Sequence, residues 1–385
     1  MKKHGWLFLF IVLAAVWLLI GGKGGDKKTE EKPPTTSVKT FVPPEGAPFI
    51  ELGEATSENY DAFYRAFAQA AAERESVICT RGVPPMGWDR MSTMDYGLFW
   101  LKSYTYSQTW AVLKGETEPD LFYTYHMEYF DLSEGDIRRM KGEIDAAADR
   151  ILSLVPAGAD DWETARTVHD ELVRTVTYDQ ENDSVYYYTI YGPLVRHEAI
   201  CQGYAAAFAF LMGRAGIYCQ FSASEDHGWN YMLISGSAEE YVDCTWDDHD
   251  LCDANGEPYV AHDFFFLSRE EVESVDSHTI STGDPYVIVP EEQHANYFYH
   301  EGYLLREFDT GEMERMLRRQ MEAGSNFLEV RFETEEGYRQ ALALTENDCA
   351  GLNRVLGHLN YYRPYYYFTN DDIRTLSVGL YAPTA

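Results

Sequence analysis

Between residues 199 and 246 the hydrophobic period changes twice, and this constrains the fold more than any other feature of the chain. Residues 199–216, AICQGYAAAFAFLMGRAG, set Tyr204, Phe208, Leu211 and Met212 on one helical face, with Gly216 placed to close the helix. Residues 227–234, HGWNYMLI, and residues 240–246, EYVDCTW, alternate and are rich in β-prone side chains. Ser235–Glu239 between them is short enough for a hairpin. A helix followed closely by an antiparallel strand pair mixes α and β structure within one short segment.

Three residues in this segment carry chemistry. Cys201 opens the helix, where unpaired backbone N–H groups and the positive end of the dipole favour thiolate over thiol. His227 opens the first strand, and pairing across the hairpin brings Asp243 beside it. An acid there would hold the imidazole in one tautomer and stabilise its charged form, as in a nucleophile–base–orienter triad. Taken singly, each residue has a plainer reading: a small buried cysteine, a structural histidine, an aspartate satisfying a turn. The case rests on all three occurring in order on elements that can meet. The backbone N–H of Cys201 would supply one oxyanion donor, and the second is open among Tyr187, Tyr188, Tyr191, Gln202 and Trp229.

The segments CQGYAAAF, HGWN and VDCTWDD resemble the three signature blocks of bacterial transglutaminase-like proteins, C-x-G-Y-A, H-A-W-N and D-x-T-W. The resemblance extends upstream through TARTVHDELVRTVTYD, residues 164–179, and downstream to FFFLS, residues 264–268. LFWLKSYTYS and LEVRFETEEGY are similar to flanks of extracellular members from Gram-positive bacteria. The resemblance implies an α+β papain-like core with the nucleophile on a helix packed against an antiparallel sheet. It implies Cys201 as nucleophile, His227 as general base and Asp243 as orienting acid, with no cofactor or metal. Acyl transfer on peptide or protein amides follows, cell-wall peptides and surface proteins being the natural substrates. Peptidase, amidase and crosslinking outcomes use the same residues and stay open. A surface binding or assembly module with an unused triad is the alternative. Two positions depart from the family pattern: Gly228 stands where Ala is common, which should be tolerated, and Cys244, expected as an inert buried thiol, follows the Asp.

The remaining features bound the setting. Residues 6–22, WLFLFIVLAAVWLLIGG, are apolar without a charge, and read as a signal peptide or membrane anchor that places the rest of the chain outside the cytoplasm. Residues 23–48 are polar and Pro/Gly-rich, a disordered linker. An N-terminal α/β region is expected over 49–156, the catalytic core over 157–275 and a C-terminal α+β region over 276–385. Net charge is -32 although residues 1–40 hold seven Lys against three acids, so the folded part is strongly acidic and unsuited to nucleic acid. The six cysteines lack CxxC spacing, which argues against structural zinc, and show no disulfide framework. Residues 247–257, DDHDLCDANGE, miss EF-hand spacing and read as a solvated turn. The tyrosine-rich 361–368 reads as an edge strand.

Overall fold

Helix caps and hydrophobic period set the elements. The computed structural model describes residues 39–53, 56–82, 97–179, 185–224, 227–234, 239–275, 278 and 296–381, in a mixed α+β chain. The described residues form two units, one up to Glu143 and one from Ile144 onward. The apolar run 6–22 lies outside the described residues. Among the described residues no helix is long and apolar enough to cross a membrane.

In the first unit, strands β1 (Lys39–Phe41), β2 (Phe49–Gly53), β3 (Val77–Gly82), β4 (Leu101–Leu113) and β5 (Asp120–Tyr129) form one sheet in the order β1-β4-β5-β3-β2. Helix α1 (Ser57–Ala72) starts where the Thr56 hydroxyl accepts the Asn59 N–H, and buries Phe63, Phe67, Ala70 and Ala71. Strand β4 runs unbroken through Ser107. One expectation is corrected: the expected linker over 23–48 contains structure, since β1 pairs in parallel with β4 and Phe41 stacks on Phe122 at 4.3 Å.

Helix α2 (Glu134–Leu152) opens where Ser133 Oγ accepts the Asp136 N–H, and α3 (Asp161–Thr175) where Asp160 accepts the Glu163 N–H. The parallel pair β6 (Thr177–Tyr178) and β7 (Glu198–Ala199) leads into α4 (Cys201–Ala215). Then follow β8 (Tyr218–Ala223), β9 (Gly228–Leu233), β10 (Glu239–Val242), the hairpin β11 (Asp248–Cys252) and β12 (Pro258–Val260), β13 (Phe265–Leu267) and α5 (Arg269–Glu273). Strands β13-β10-β9-β8 form an antiparallel sheet, and α4 lies against β8, β9 and α3. After α6 (Tyr297–His300) come β14 (Leu304–Leu305), α7 (Thr310–Glu322), β15 (Phe327–Phe332), α8 (Glu335–Leu342), α9 (Glu346–His358), β16 (Tyr365–Asn370) and β17 (Thr375–Leu380). The last sheet runs β14-β15-β17-β16, with Met313, Leu317, Leu352, Val355 and Leu356 from α7 and α9 in its core.

The expected division at residue 276 is not a division between units. Ile373, in the turn before β17, shares a buried cluster with Trp229, Tyr231 and Tyr241, and Phe327 shares one with Tyr259 and Ala261. The expected division at residue 156 falls instead within α2, near Glu143. Within the second unit, apolar faces from before and after residue 276 cover one another, so a boundary at 276 would expose both.

Candidate active site

Cys201 is the first residue of α4, after Ile200 in extended conformation. Its motif glycine has a steric reason. A Cβ at Gly203 would lie 2.2 Å from the Tyr187 carbonyl oxygen and 2.9 Å from the Ala199 Cβ. Only glycine lets the helix start press against the backbone of 185–188. The following alanines serve the same closeness further along: Ala205, Ala206, Ala207 and Ala209 are buried. Asn230 then ties the sheet to the helix, donating its Nδ2 hydrogens to the Ala205 carbonyl at 2.9 Å and the Gln220 carbonyl at 3.2 Å.

His227 immediately precedes β9, and Asp243 immediately follows β10. The two are not level, contrary to the simplest hairpin picture. Val242 pairs with Asn230, so the same register carried one step further puts Asp243 opposite Trp229. Trp229 is two residues from His227 and therefore on the same face. The rings of His227 and Trp229 stack at 5.8 Å. Parity is preserved, and Asp243 reaches His227 diagonally, Oδ2 to Nε2 at 2.5 Å. That leaves Nδ1 for the thiol, and Cys201 is a hydrogen-bonding partner of the His227 ring. The structure thus brings Cys201, His227 and Asp243 together, all of them shielded from solvent: Cys201 is 6% exposed and Asp243 3%.

Asp243 takes four hydrogen bonds. Oδ1 accepts the N–H groups of Thr245 at 2.9 Å and Trp246 at 3.2 Å, which shapes the turn after β10. Oδ2 accepts from His227 and from His278 at 2.9 Å. Burial alone would raise its pKa, but the charge and hydrogen bond of His227 and the bond from His278 hold it well below the usual carboxylate range. Burial works against a charged His227 too. The Asp243 charge and hydrogen bond, with Cys201, outweigh it and push the imidazole up to about 10. His227 is therefore held as an imidazolium beside a sulfur.

No sequence motif marks His278. It lies 35 residues beyond Asp243 in a stretch with no recognisable period. Cys244 is buried as expected, and burial plus the charges of Asp243 and Asp247 keep its thiol protonated. Gly228 is a different matter. A Cβ there would sit 2.5 Å from Phe221 Cζ, so the space an alanine methyl needs is filled by a buried ring. Glycine is accommodated at this position because the Phe221 ring takes the space of the missing methyl. Of the oxyanion candidates, the Tyr187 hydroxyl donates to Glu198 at 2.5 Å, and the buried Trp229 indole N–H has no acceptor among the described residues.

A second buried network backs the site. Asp247, expected in a solvated turn, is 0% exposed. Its Oδ1 accepts the Phe264 N–H at 2.9 Å, and the Phe264 carbonyl in turn accepts the Asp243 N–H at 3.0 Å. Asp247 Oδ2 pairs with His169 Nε2, His169 Nδ1 with Asp170, Asp170 with His262 Nε2, each at 3.0 Å, and His262 Nδ1 pairs with Glu329 at 2.7 Å. Burial opposes charge on His262, but Glu329 and Asp170 push it up to about 10. The chain runs from α3 to β15 and fixes the backbone that carries Asp243. The run 248–257 is the β11–β12 hairpin, whose turn Asp253 caps.

Among the described residues two groups have metal-ligand composition, His169–Asp170–His262 and His227–Asp243–His278. In both, the polar atoms already pair at 2.5–3.0 Å. A tetrahedral zinc with 2.0–2.1 Å bonds needs ligand atoms roughly 3.3 Å apart. Mutual hydrogen bonding accounts for both groups.

Comparison with protein-family models and with curated proteins returns no match. Among solved structures the chain is similar to that of a TGase, at 10% identity and TM-score 0.26, over 52% of this chain and 59% of the other. It is similar to menin, whose structure reveals the binding site for the Mixed Lineage Leukemia protein, at 21% identity and TM-score 0.25, over 34% and 30%. It is also similar to the periplasmic domain of TgpA from Pseudomonas aeruginosa, at 13% identity and TM-score 0.23, over 37% and 62%. In each case the chain spans less than two thirds of the other's length, and no overlay reaches a TM-score of 0.5.

Proposed function

We propose that the chain is a transglutaminase-like cysteine enzyme that acts on peptide or protein amides by acyl transfer. The observation that carries this is the hydrogen bonding of His227, with Asp243 on Nε2 and Cys201 as its other partner. The Cys201 thiolate attacks the amide carbonyl carbon. The tetrahedral intermediate collapses as the C–N bond breaks, and the imidazolium of His227 gives its proton to the leaving amine. Water or a second amine, deprotonated by His227, attacks the thioester and expels the Cys201 thiolate, which restores the starting pair with the His227 imidazolium. Water gives hydrolysis and an amine gives a crosslink. His227, held charged by Asp243, faces the Cys201 sulfur on which the first step depends.

The setting belongs to the same proposal: a protein carried outside the cytoplasm by residues 6–22, working on cell-wall peptides or surface proteins. A binding module with an idle triad is the rival from another class. Digestion of a peptide library, with and without added amines, separates them. Cleavage or amine incorporation that Cys201→Ala abolishes is the expected result. Products made equally by the Cys201→Ala chain would end the enzyme reading.

A further inference from the structure

We propose that His278 is a positioning residue of the same site: its Nε2–H holds Asp243 as an anion, so that the proton shared with His227 stays on the imidazole. This rests on the acyl-transfer reading above and adds to it a fourth member that no sequence motif marks. His278 is fully buried. Aromatic rings surround it: Trp229 at 4.7 Å, Trp246 edge-on at 4.6 Å, Phe264 nearly parallel at 5.6 Å and His227 at 5.0 Å. Phenylalanine would suit those walls. The polar edge is explained by the 2.9 Å contact from Nε2 to Asp243 Oδ2.

The tautomer follows from the acceptor. Asp243 is 3% exposed and held ionised, so it can only accept, and His278 must carry its proton on Nε2. The two bonds to Oδ1 come from the backbone and are committed to the turn. Oδ2 is thus shared between two imidazoles, one that exchanges protons with substrate and one that does not. Without the second donor, Oδ2 would be the stronger base in a 2.5 Å hydrogen bond, and the proton needed by the leaving amine would be drawn toward Asp243. His278 weakens that pull while leaving the orientation of His227 intact. Among the described residues, titratable groups in contact here include Asp243 and His227, with Cys201 beyond the His227 ring.

The test uses the full chain. Nitrogen-15 histidine NMR reads the tautomer directly: a protonated Nε2 on His278, with a resonance that moves in Asp243→Asn, is expected. An unprotonated Nε2 overturns the proposal, and this measurement needs neither substrate nor a folded His278 variant. On a peptide amide cleaved by the wild type, His278→Phe keeps the ring and loses the donor. It should lower kcat about tenfold, the worth of one hydrogen bond to a charged group, with KM unchanged. His278→Gln restores a donor near the Nε2 position and should recover most of that loss. Turnover of His278→Phe at the wild-type rate, or no recovery in His278→Gln, also overturns it. If Cys201→Ala keeps activity, the acyl-transfer reading fails while the tautomer experiment still judges the His278–Asp243 bond.

Discussion

Asp243 accepts four hydrogen bonds and offers none, which only a carboxylate can do. Asp243→Asn would turn an amide NH₂ toward a donor at one oxygen position and invert or break the His227 contact. Turnover should fall about 10³–10⁴-fold, as expected when the base is held in the wrong tautomer. Labelling of Cys201 by iodoacetamide should fall much less, because Cys201 keeps its place at the start of α4. Equal losses in the two assays would show that Asp243 acts on the thiol and not on the base. The label should spare Cys244, whose burial beside Asp243 and Asp247 keeps its proton in place. Peptide mapping of the alkylated chain checks that assignment.

At the scale of elements, the site depends on how closely α4 and β9 approach their neighbours. Gly203→Ala puts a methyl against the Tyr187 carbonyl, a backbone atom that cannot step aside. A loss of about 3 kcal/mol is expected, with slower Cys201 labelling because the helix start must shift. Thermal melting and labelling rates of the one variant measure both. Gly228→Ala meets the end of the Phe221 ring instead. It should be destabilising alone and largely restored by Phe221→Leu, so a double-mutant cycle should give a coupling of about 1 kcal/mol or more. Additive effects would show that β8 moves freely from β9.

For the molecule as a whole, the buried titratable groups of the second unit divide into those whose pKa is raised and those whose pKa is lowered. Burial raises Asp247 and Asp248 to about 6 and Asp263 to about 7. Each folded carboxyl then holds its proton above the ordinary 3.8, so stability is lost as pH rises through that window. His227 and His262, raised by their carboxylates against burial to about 10, contribute fully below their ordinary 6.5 and lose it as pH rises through 10. Asp170, Asp243 and Glu271 are lowered, so their contribution disappears as pH falls below the ordinary carboxylate range. The unit should melt highest at about pH 5 and progressively lower toward pH 9. A melting temperature that rises from pH 5 to 9 would contradict this balance. In the first unit, cutting the chain at Ile50 removes β1 and the Phe41–Phe122 stack, so that form should melt below one cut before Lys39.

What the sequence determined by itself is whatever depends on near neighbours. Thr56, Ser133 and Asp160 each cap a helix through an amide three residues on, and the periods of α4, β9 and β10 are visible in runs of a few residues. Cys201, His227 and Asp243 could be named because one short hairpin brings two of them together and the third opens the preceding helix. Only the tertiary structure decided the rest. His278 joins Asp243 across 35 residues and Glu329 joins His262 across 67, and no local period encodes a contact at such separations. The same holds for Phe221 filling the space beside Gly228, and for the shared cores that merge the expected catalytic and C-terminal regions. Caps and periods answer to the nearest turn of backbone, whereas shared carboxylates and filled spaces exist only once distant segments exclude water from one another.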